Sequence, residues 1–305
     1  MHDLIVIGGG PAGLTAAIYA IRKRLNVLLV SKDLGGKTNY HLALPWIEDY
    51  QVIRGLEVVN KFRSELEYLD FARRMEPVER VCVLGDSFAV STRNGDELFA
   101  KAVIVATGAR QRRLDVPGEK DYTMRGLCYS ALSYAPLFID RTAAVIGDGE
   151  LALRSAAELA TIARRVYLVC CAQTGGSDLL YSPLGKKLVA AENVTLLEGY
   201  QVVRIQGDQF ARSMVLNDPT GELIEIHTDG IFIEKGLTPH SDMVANLVNI
   251  DAEGRIKVDY ANRTNVPGIY AAGDVTTTYA EQVLVAVGEG AKAALSAYDF
   301  LLPTL

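Results

Sequence analysis

A glycine-rich turn near the N-terminus constrains the fold of this chain more than any other feature. The apolar run Leu4-Ile5-Val6-Ile7 leads directly into Gly8-Gly9-Gly10-Pro11-Ala12-Gly13, and a helix-forming run follows from Leu14 to Arg24. An apolar run followed by G-x-G-x-x-G predicts a buried parallel strand, a tight turn and a helix N-terminus. Because the free N–H groups of that helix end attract phosphate, the pattern predicts a dinucleotide-binding turn. The alternative is a plain glycine turn in some other β-α-β unit.

Each residue of the turn has a physical reason to be there. Gly8 allows the tight turn, Gly10 lets the backbone approach a pyrophosphate, and Gly13 lets the helix lie close to its strand. Pro11 suits the first helical turn, because a residue there has no N–H bond to lose. We therefore expect Gly8, Gly10, Pro11, Ala12 and Gly13 to bind a cofactor.

Length and composition limit the classes of protein to consider. A chain of 305 residues, 49% of them hydrophobic, can bury a large core and predicts about two domains. A net charge of -6 without blocks of like charge argues against nucleic-acid and membrane-surface partners. The sequence has no apolar run of the ~18 residues that span a bilayer and no basic segment of a secretory signal. We therefore expect a cytoplasmic protein without a membrane partner.

The cysteines indicate neither a metal site nor a disulfide framework. Cys82, Cys128, Cys170 and Cys171 form no C-x-x-C pair and show no metal-ligand spacing. This usage is typical of a reducing compartment, and it predicts that no metal is bound.

The stretch after the first helix predicts further parts of a dinucleotide fold. Residues 26–30 read as a second buried strand that ends at Ser31, where this fold often places an acid for the ribose hydroxyls. A serine hydroxyl bonds ribose more weakly than a carboxylate, and Asp33 is a second candidate for that role. Gly35-Gly36-Lys37 follows as a second glycine loop, and a later strand closes on Ala106-Thr107-Gly108.

A second unit of strand, glycine turn, helix and strand begins near the middle of the chain. The strand over residues 142–146 runs into a turn at 147–152, a helix that extends to Arg165 and a strand over 166–170. This order repeats that of the N-terminus and implies a second nucleotide-type domain. We expect an α/β protein with two Rossmann-like dinucleotide-binding domains. The second, residues 113–236, is inserted into the first, residues 1–112 and 237–305.

The C-terminal part completes the first domain in this interpretation. A strand emerges into Gly273-Asp274, and a last helix extends from about Ala280 to Leu301. Gly288 and Gly290 inside that helix each cost about 1 kcal/mol relative to alanine, which predicts a close approach of backbone or ligand.

Six motifs, in this order and over nearly the whole chain, resemble those of the low-molecular-weight thioredoxin reductases. They are Gly8–Gly13, Gly35-Gly36, Ala106-Thr107-Gly108, the turn at 147–152, Gly273-Asp274, and Glu281-Gln282-Val283 with Gly288-Glu289-Gly290. The resemblance implies FAD in the discontinuous first domain, and a homodimer. The residues implied to contact FAD beyond the first turn are Ser31, Gly36, Lys37, Ala106, Thr107, Gly108, Gly273, Asp274, Gln282 and Val283.

The resemblance also implies how the flavin end is held. Asp274 would bind the ribityl-phosphate region, and the start of the last helix, near Gln282 and Val283, would lie by the pyrimidine edge of the flavin. A helix N-terminus at that edge would stabilise the negative charge of a reduced flavin. The alternative role of Asp274 is to cap a helix.

The segment that carries a C-x-x-C pair in these reductases differs here. Ser130 and Ser133 occupy the cysteine positions, and Tyr134 occupies that of the following acid. A serine hydroxyl cannot supply the thiolate that dithiol chemistry requires, so we expect no thioredoxin reduction by that route. Cys128 lacks a resolving partner, and we expect it to pack in the core. Tyr129, the serines and Tyr134 are candidates to line the flavin or simply to pack.

The second domain also lacks features of an NADPH site. Cys170-Cys171-Ala172-Gln173 stands where the family has His-Arg-Arg, so a 2′-phosphate would find no arginine. Asp148 and Glu150 place carboxylates where a pyrophosphate would lie, although Glu150 is also a candidate to cap the helix. We expect a degenerate NAD(P)-binding-like domain. Cys170 and Cys171 are either packed core thiols or a strained vicinal disulfide.

Two functional hypotheses follow. The first is an FAD oxidoreductase that passes electrons directly through its flavin, exchanging them with a carrier such as ferredoxin, a second flavin or a small acceptor. The second is a non-catalytic FAD-binding redox sensor or partner-binding module. Arg110, Arg112 and Arg113 either offer a basic surface to an acidic electron carrier or are solvated hinge charges.

Overall fold

A computed structural model describes residues 1–48, 55–171 and 178–305 of this chain, so Ala172 and Gln173 lie outside the described residues. The chain forms two compact units. The first comprises Met1–Asn39, Ile53–Arg110 and Thr238–Leu305, and the second Tyr40–Val52 and Gln111–Leu237. No helix in the described ranges is long and apolar enough to cross a membrane. The same ranges hold no group of three or more His, Cys, Asp or Glu side chains placed to bind a metal ion.

The helices and strands of the described residues follow in chain order. The α-helices are α1 (Pro11–Arg22), α2 (Leu56–Tyr68), α3 (Glu119–Tyr122), α4 (Ala131–Tyr134), α5 (Glu150–Ala160), α6 (Pro183–Val189) and α7 (Val283–Leu301). The strands are β1 (His2–Ile7), β2 (Val27–Val30), β3 (Arg73–Arg74), β4 (Val78–Leu84), β5 (Ser87–Thr92), β6 (Glu97–Val105), β7 (Ala109–Gln111), β8 (Leu127–Cys128), β9 (Thr142–Ile146), β10 (Arg165–Cys170), β11 (Val194–Glu198), β12 (Gln201–Gly207), β13 (Ala211–Asn217), β14 (Leu223–His227), β15 (Gly230–Ile233), β16 (Leu237–Pro239) and β17 (Ile269–Ala271).

The first unit is built on a mostly parallel sheet with strand order β3-β2-β1-β6-β5-β4, in which β17 also pairs with β6. Its central strands are apolar on both faces, and both faces are buried. Helices α1 and α7 cover one face, and further apolar residues cover the other. The parallel register places Ile7, Val105 and Ala271 side by side at the carboxyl ends of β1, β6 and β17. The turns that follow these three strands therefore emerge at one edge of the sheet, where ligands bind in this class of fold.

Helices α1 and α7 pack closely at one of the two predicted glycines. A Cβ atom at Gly290 would lie 2.1 Å from the carbonyl oxygen of Ala12. At Gly288 it would meet no described atom within 4 Å. The predicted close approach of backbone is therefore confirmed at Gly290, whereas Gly288 faces open space.

The second unit repeats the parallel arrangement and adds an antiparallel layer. Its parallel sheet has strand order β11-β10-β9-β15-β8, and a separate antiparallel sheet has the order β12-β13-β14. The α/β class predicted from the sequence is confirmed. The antiparallel sheet was not predicted from the sequence, because its strands mix polar and apolar residues without strict alternation.

Residues 40–48 belong to the second unit, although the sequence interpretation placed them with the first domain. The Ala43 N–H donates to the Met124 carbonyl oxygen at 2.9 Å. The Trp46 ring meets Phe138 edge-on, with 5.4 Å between the ring centroids. The apolar side chains of this segment are thus buried against residues about 80 to 90 positions later, a choice that local sequence pattern does not reveal.

Candidate dinucleotide site

The glycine turn after β1 is as tight as the sequence predicts. Gly8 has a φ of +109°, and a Cβ atom there would lie 2.3 Å from the carbonyl oxygen of Ala106. A Cβ atom at Gly13 would lie 1.8 Å from the Gly8 carbonyl oxygen, so α1 starts directly against the strand. At Gly10 a Cβ atom would meet no described atom within 4 Å. The space beside Gly10 is therefore open to a ligand.

The N-terminus of α1 is suited to an anion. Gly10 precedes the helix, Pro11 is its first residue, and the first turn contains no acidic residue. Within the described part of the chain, no side chain caps this helix end. Uncapped N–H groups at the positive end of a helix dipole favour phosphate. The structure thus brings Gly8, Gly10, Pro11, Ala12 and Gly13 together at one turn.

The glycine loop after β2 packs against this turn. The Gly35 N–H donates to the Gly9 carbonyl oxygen at 2.7 Å. A Cβ atom at Gly36 would lie 3.2 Å from the Cα atom of Gly10, and Gly36 has a φ of +56°. A larger residue at Gly36 would therefore push the two loops apart.

The two residues considered for ribose binding both brace this second loop. The Ser31 hydroxyl donates to the Asp33 carbonyl oxygen at 2.7 Å, and Asp33 Oδ1 accepts from the Gly36 N–H at 3.1 Å. The other carboxylate oxygen of Asp33 lies 3.9 Å from Lys32 Nζ, and the Asp33 side chain is 41% exposed. Asp33 therefore offers ribose more accessible acceptor surface than the buried Ser31 hydroxyl does.

A residue that the sequence interpretation missed holds the turn after β6. The Thr107 hydroxyl donates to the His240 carbonyl oxygen at 2.6 Å, and the His240 N–H donates to the Gly108 carbonyl oxygen at 2.9 Å. Gly108 has a φ of +66°, which glycine adopts without strain. No local motif marks His240, because its role depends on a segment 133 residues away. These bonds fix Ala106-Thr107-Gly108 at the end of β6.

The Gly273-Asp274 turn follows β17 at the same sheet edge. Gly273 has a φ of +79°, and its N–H donates to Glu289 Oε2 at 2.7 Å. The Asp274 carboxylate pairs with Lys37, with 2.5 Å between Oδ2 and Nζ, and its side chain is only 14% exposed. Asp274 does not cap α7, which begins at Val283. The structure thus joins Asp274 to the second glycine loop rather than to a helix end.

Gln282 and Val283 form the start of α7. Gln282 precedes the first turn, which contains no acidic residue, and none of the described side chains caps it. The Gln282 carbonyl oxygen accepts from the Ala286 N–H at 2.9 Å. The first unit therefore contains a second uncapped helix N-terminus, which can stabilise negative charge as α1 can.

In the second unit, the two serines singled out from the sequence contact each other. Ser130 Oγ donates to Ser133 Oγ at 3.0 Å. Ser130 directly precedes α4, where the Ala131 N–H donates to Glu234 Oε1 at 2.7 Å. The same oxygen accepts from the Ser155 hydroxyl at 2.9 Å. The buried Glu234 carboxylate thus anchors the short helix that carries the serine pair.

The neighbouring titratable groups are held in their neutral forms. Burial raises the pKa of the Cys128 thiol well above its usual range, and the Glu234 carboxylate adds to this effect. Burial raises the pKa of Tyr134 to about 12 and that of Tyr129 to about 12. The Tyr129 hydroxyl donates to Glu119 Oε1 at 2.9 Å. Cys128 is therefore a packed core thiol, as expected from the sequence.

The second glycine turn borders a cavity of about 210 Å³ at the N-terminus of α5. The cavity is lined by Asp148, Gly149, Glu150, Leu151, Glu234, Lys235 and Gly236. Glu150 lies in the first turn of α5, where its charge meets the helix N-terminus, and it pairs with Arg154, with 2.7 Å between Oε1 and Nη2. Carboxylates therefore outnumber cations in this lining, whereas the first turn of α1 is free of acids.

Cys170 is the last residue of β10 and Cys171 follows it, and both are free thiols, as in the packed-thiol alternative. Burial raises the pKa of Cys170 to about 12, and the carboxylates of Asp148 and Glu198 add to the shift. Burial and Asp148 also raise the pKa of Cys171. The carboxylate of Asp148 thus acts on both thiols at the end of β10, where this fold usually recognises ribose.

Comparison with known proteins places this geometry in a family. The model of the pyridine nucleotide-disulphide oxidoreductase family matches residues 2–290. The F component of alkyl hydroperoxide reductase from Pseudomonas aeruginosa is 35% identical over 311 residues, which cover 99% of this chain and 58% of that protein. NADH dehydrogenase of Bacillus subtilis is 33% identical over 308 residues, covering 98% of this chain and 58% of its own length. The chain thus spans less than two thirds of these curated relatives.

Two solved structures of thioredoxin reductases align with nearly the whole chain. The crystal structure of thioredoxin reductase from Streptococcus pyogenes superposes with a TM-score of 0.87 at 34% identity and covers 99% of both chains. Thioredoxin reductase from Giardia duodenalis has a TM-score of 0.86 at 26% identity, with the same coverage. These matches confirm the two-domain Rossmann-type fold. Members of this family bind FAD, and the chain belongs to it: it is an FAD flavoprotein of the pyridine nucleotide-disulphide oxidoreductase family.

Proposed function

We propose that this chain is an FAD oxidoreductase whose electrons pass directly through the flavin, without a dithiol relay and without NADPH. In this proposal FAD is held by residues 1–112 and 237–305, apart from residues 40–48, which belong to the second unit. Residues 113–236 form a degenerate NAD(P)-binding-like domain. When bound, FAD supplies the electron-transfer chemistry. The residues of the chain bind the cofactor and set its electrostatic surroundings.

The hydrogen bond between Ser130 and Ser133 is the observation that carries the proposal. The resemblance puts these residues at the positions of the C-x-x-C pair in thioredoxin reductases, and their hydroxyl oxygens lie 3.0 Å apart. Oxygen in place of sulfur keeps such a pair together but removes the thiolate on which disulfide exchange depends. Cys128, the nearby buried thiol, cannot form a disulfide with a serine. Electrons would therefore enter and leave through the flavin itself.

The charges around α5 support the absence of NADPH. A pyrophosphate at this helix end would face the carboxylates of Asp148 and Glu150, and like charges oppose binding. Cys170 offers neither an acid for a ribose hydroxyl nor the guanidinium that pairs with a 2′-phosphate. The first turn of α1 has none of these obstacles.

The residues of the first unit fit FAD. The space beside Gly10 is open, and α1 and α7 of the same unit each begin with neither a side-chain cap nor an acid in the first turn. In the proposal the turn of α1 binds the diphosphate, Asp274 the ribityl region, and the start of α7 the pyrimidine edge of the flavin. The proposed FAD-binding residues are Gly8, Gly10, Pro11, Ala12, Gly13, Ser31, Gly36, Lys37, Ala106, Thr107, Gly108, Gly273, Asp274, Gln282 and Val283.

We further propose a cytoplasmic homodimer that exchanges electrons with a carrier protein such as ferredoxin. Arg110, Arg112 and Arg113 are exposed and would suit an acidic carrier. The free cysteines of the described residues agree with a reducing compartment.

Anaerobic titration of the purified flavoprotein tests the proposal. The visible spectrum is recorded while NADPH, NADH or reduced ferredoxin is added, and thioredoxin reduction is assayed in parallel. We expect reduced ferredoxin to bleach the flavin, and NADPH and NADH to leave it oxidised. Rapid bleaching by NADPH coupled to thioredoxin reduction would contradict the proposal. A flavin that no carrier reduces would favour the alternative, a non-catalytic FAD-binding sensor or partner-binding module.

A further inference from the structure

The flavin end of the first unit is crowded with carboxylates. Asp274 is nearly buried, and Glu289 accepts the Gly273 N–H. Two effects raise the pKa of Glu281, first its partial burial and then the negative charge of Asp274. A dinucleotide diphosphate would bring further negative charge to the same unit. Because like charges repel strongly where water is scarce, such a site needs a cation to bind its ligand.

Lys37 is placed to supply that cation. It follows Gly36, which packs against the turn of Gly10, and its Nζ lies 2.5 Å from Asp274 Oδ2. A single side chain thus links the loop after β2 to the turn after β17. It also acts on Glu281, whose pKa it lowers.

The other cation that acts on Glu281 is already paired elsewhere. Arg255 Nε lies 2.7 Å from Asp251 Oδ2, and its Nη2 lies 3.2 Å from Glu253 Oε2. The positive charge of Arg255 is therefore largely taken up by these two carboxylates. Lys37 pairs with one carboxylate, that of Asp274, and it directly follows Gly36, which packs against Gly10 of the α1 turn.

We propose that Lys37 retains the cofactor: its positive charge lowers the repulsion between the carboxylate of Asp274 and the diphosphate of FAD. The proposal rests on the placement of FAD in the first unit. Lysine suits the task because its ammonium group can contact a carboxylate and a phosphate oxygen at the same time. Without it, the remaining cation that acts on Glu281 would be Arg255, which is already paired with Asp251 and Glu253.

The test is FAD binding to apoprotein, followed by flavin fluorescence and calorimetry at low and high salt. We expect Lys37→Met to raise the dissociation constant by about 10- to 100-fold at low salt, and by less at high salt because salt screens the lost charge. Lys37→Arg, which keeps the charge, should stay within about threefold of the wild type. Adding Glu281→Gln to Lys37→Met should restore part of the affinity, since it removes one of the opposing carboxylates.

Lys292→Met provides the matched control, because this exposed lysine of α7 carries the same charge in the same unit. It should leave FAD affinity unchanged, and circular dichroism of each apoprotein establishes that it is folded. An unchanged affinity in folded Lys37→Met, or an equal loss in Lys292→Met, would overturn the role of Lys37. Failure of wild-type apoprotein to bind FAD would instead overturn the proposed function itself.

Discussion

Ser130 Oγ and Ser133 Oγ lie 3.0 Å apart at the start of the short helix α4. The Ala131 N–H in the first turn of this helix donates to Glu234. The spacing of three residues at the start of α4 brings the two side chains together, whereas the absence of thiol chemistry depends on two atoms. The contact between the two side chains can therefore be kept while the reactive atom is changed. Replacing the two hydroxyl oxygens by sulfur tests this statement.

We expect the double variant Ser130→Cys/Ser133→Cys to form a disulfide on mild oxidation, because side chains that already touch can bring two sulfurs within bonding distance. The measurement is the free-thiol count and intact mass before and after oxidation. The single variant Ser130→Cys is the control and should keep its added thiol. Six free thiols in the oxidised double variant, the four native ones and the two added ones, would contradict the expectation.

The raised pKa of Glu281 predicts how the free energy of unfolding changes with pH. Partial burial and Asp274 raise its pKa above the usual 4.5, although Lys37 and Arg255 oppose the shift. The folded state then binds the proton more tightly than the unfolded chain, so ionised Glu281 destabilises the fold increasingly as pH rises through the folded pKa. We expect Glu281→Gln to raise the free energy of unfolding at about pH 8, and less so at about pH 5.

Urea denaturation of the apoprotein at the two pH values measures this effect of Glu281→Gln. Glu79→Gln is the control, since Glu79 is an exposed glutamate of the same unit. The control should show the same small change at both pH values. A gain for Glu281→Gln that does not vary with pH would rule out the assignment.

At the scale of elements, the contact between α1 and α7 depends on one glycine. A Cβ atom at Gly290 would lie 2.1 Å from the Ala12 carbonyl oxygen, whereas one at Gly288 would meet no described atom within 4 Å. We expect Gly290→Ala to lower the free energy of unfolding by about 1–3 kcal/mol through overpacking. Gly288→Ala should raise it by about 0.5–1 kcal/mol through helix propensity. Urea denaturation of the apoprotein checks both, and equal changes would disprove the packing argument.

The helices α1 and α5 both start at a glycine turn after a buried strand, but carboxylates lie only at the start of α5. If Asp148 and Glu150 keep nucleotides out, Asp148→Gly/Glu150→Ser should lower the dissociation constant for NADH about tenfold or more, since each tenfold step needs only about 1.4 kcal/mol. Calorimetric titration with NADH measures the change. Asp121→Asn/Glu192→Gln removes the same charge from exposed positions of the second unit and should have no such effect. Equal affinities in both double variants would count against the charge argument.

For the whole molecule, the proposed homodimer is tested by a measurement of molar mass in solution. The chain has a mass of 33.1 kDa, and most soluble oligomers are symmetric homodimers. We expect size-exclusion chromatography with light scattering to give about twice the mass of the chain at micromolar concentration, with FAD bound. A monomer mass under these conditions would contradict the proposed homodimer.

The two units also show that a shared architecture does not impose a shared chemistry. Both contain a parallel sheet and a glycine turn that opens a helix, yet one turn is free of acids and the other lies among carboxylates. The difference arises from side chains, which the sequence already displays at Asp148 and Glu150. Their consequence for Cys170 appears only when β10 and the turn after β9 are brought together.

The α/β class and the glycine turn at the end of β1 can be predicted from the amino-acid sequence, because apolar runs, glycine spacing and helix starts are properties of neighbouring residues. The pairs of distant groups that meet are known from the folded structure. It paired Lys37 with Asp274 and Thr107 with His240, and it distinguished Gly290 from Gly288. It also buried residues 40–48 in the second unit. These outcomes depend on contacts between segments far apart in the chain, and such contacts leave no local pattern to detect.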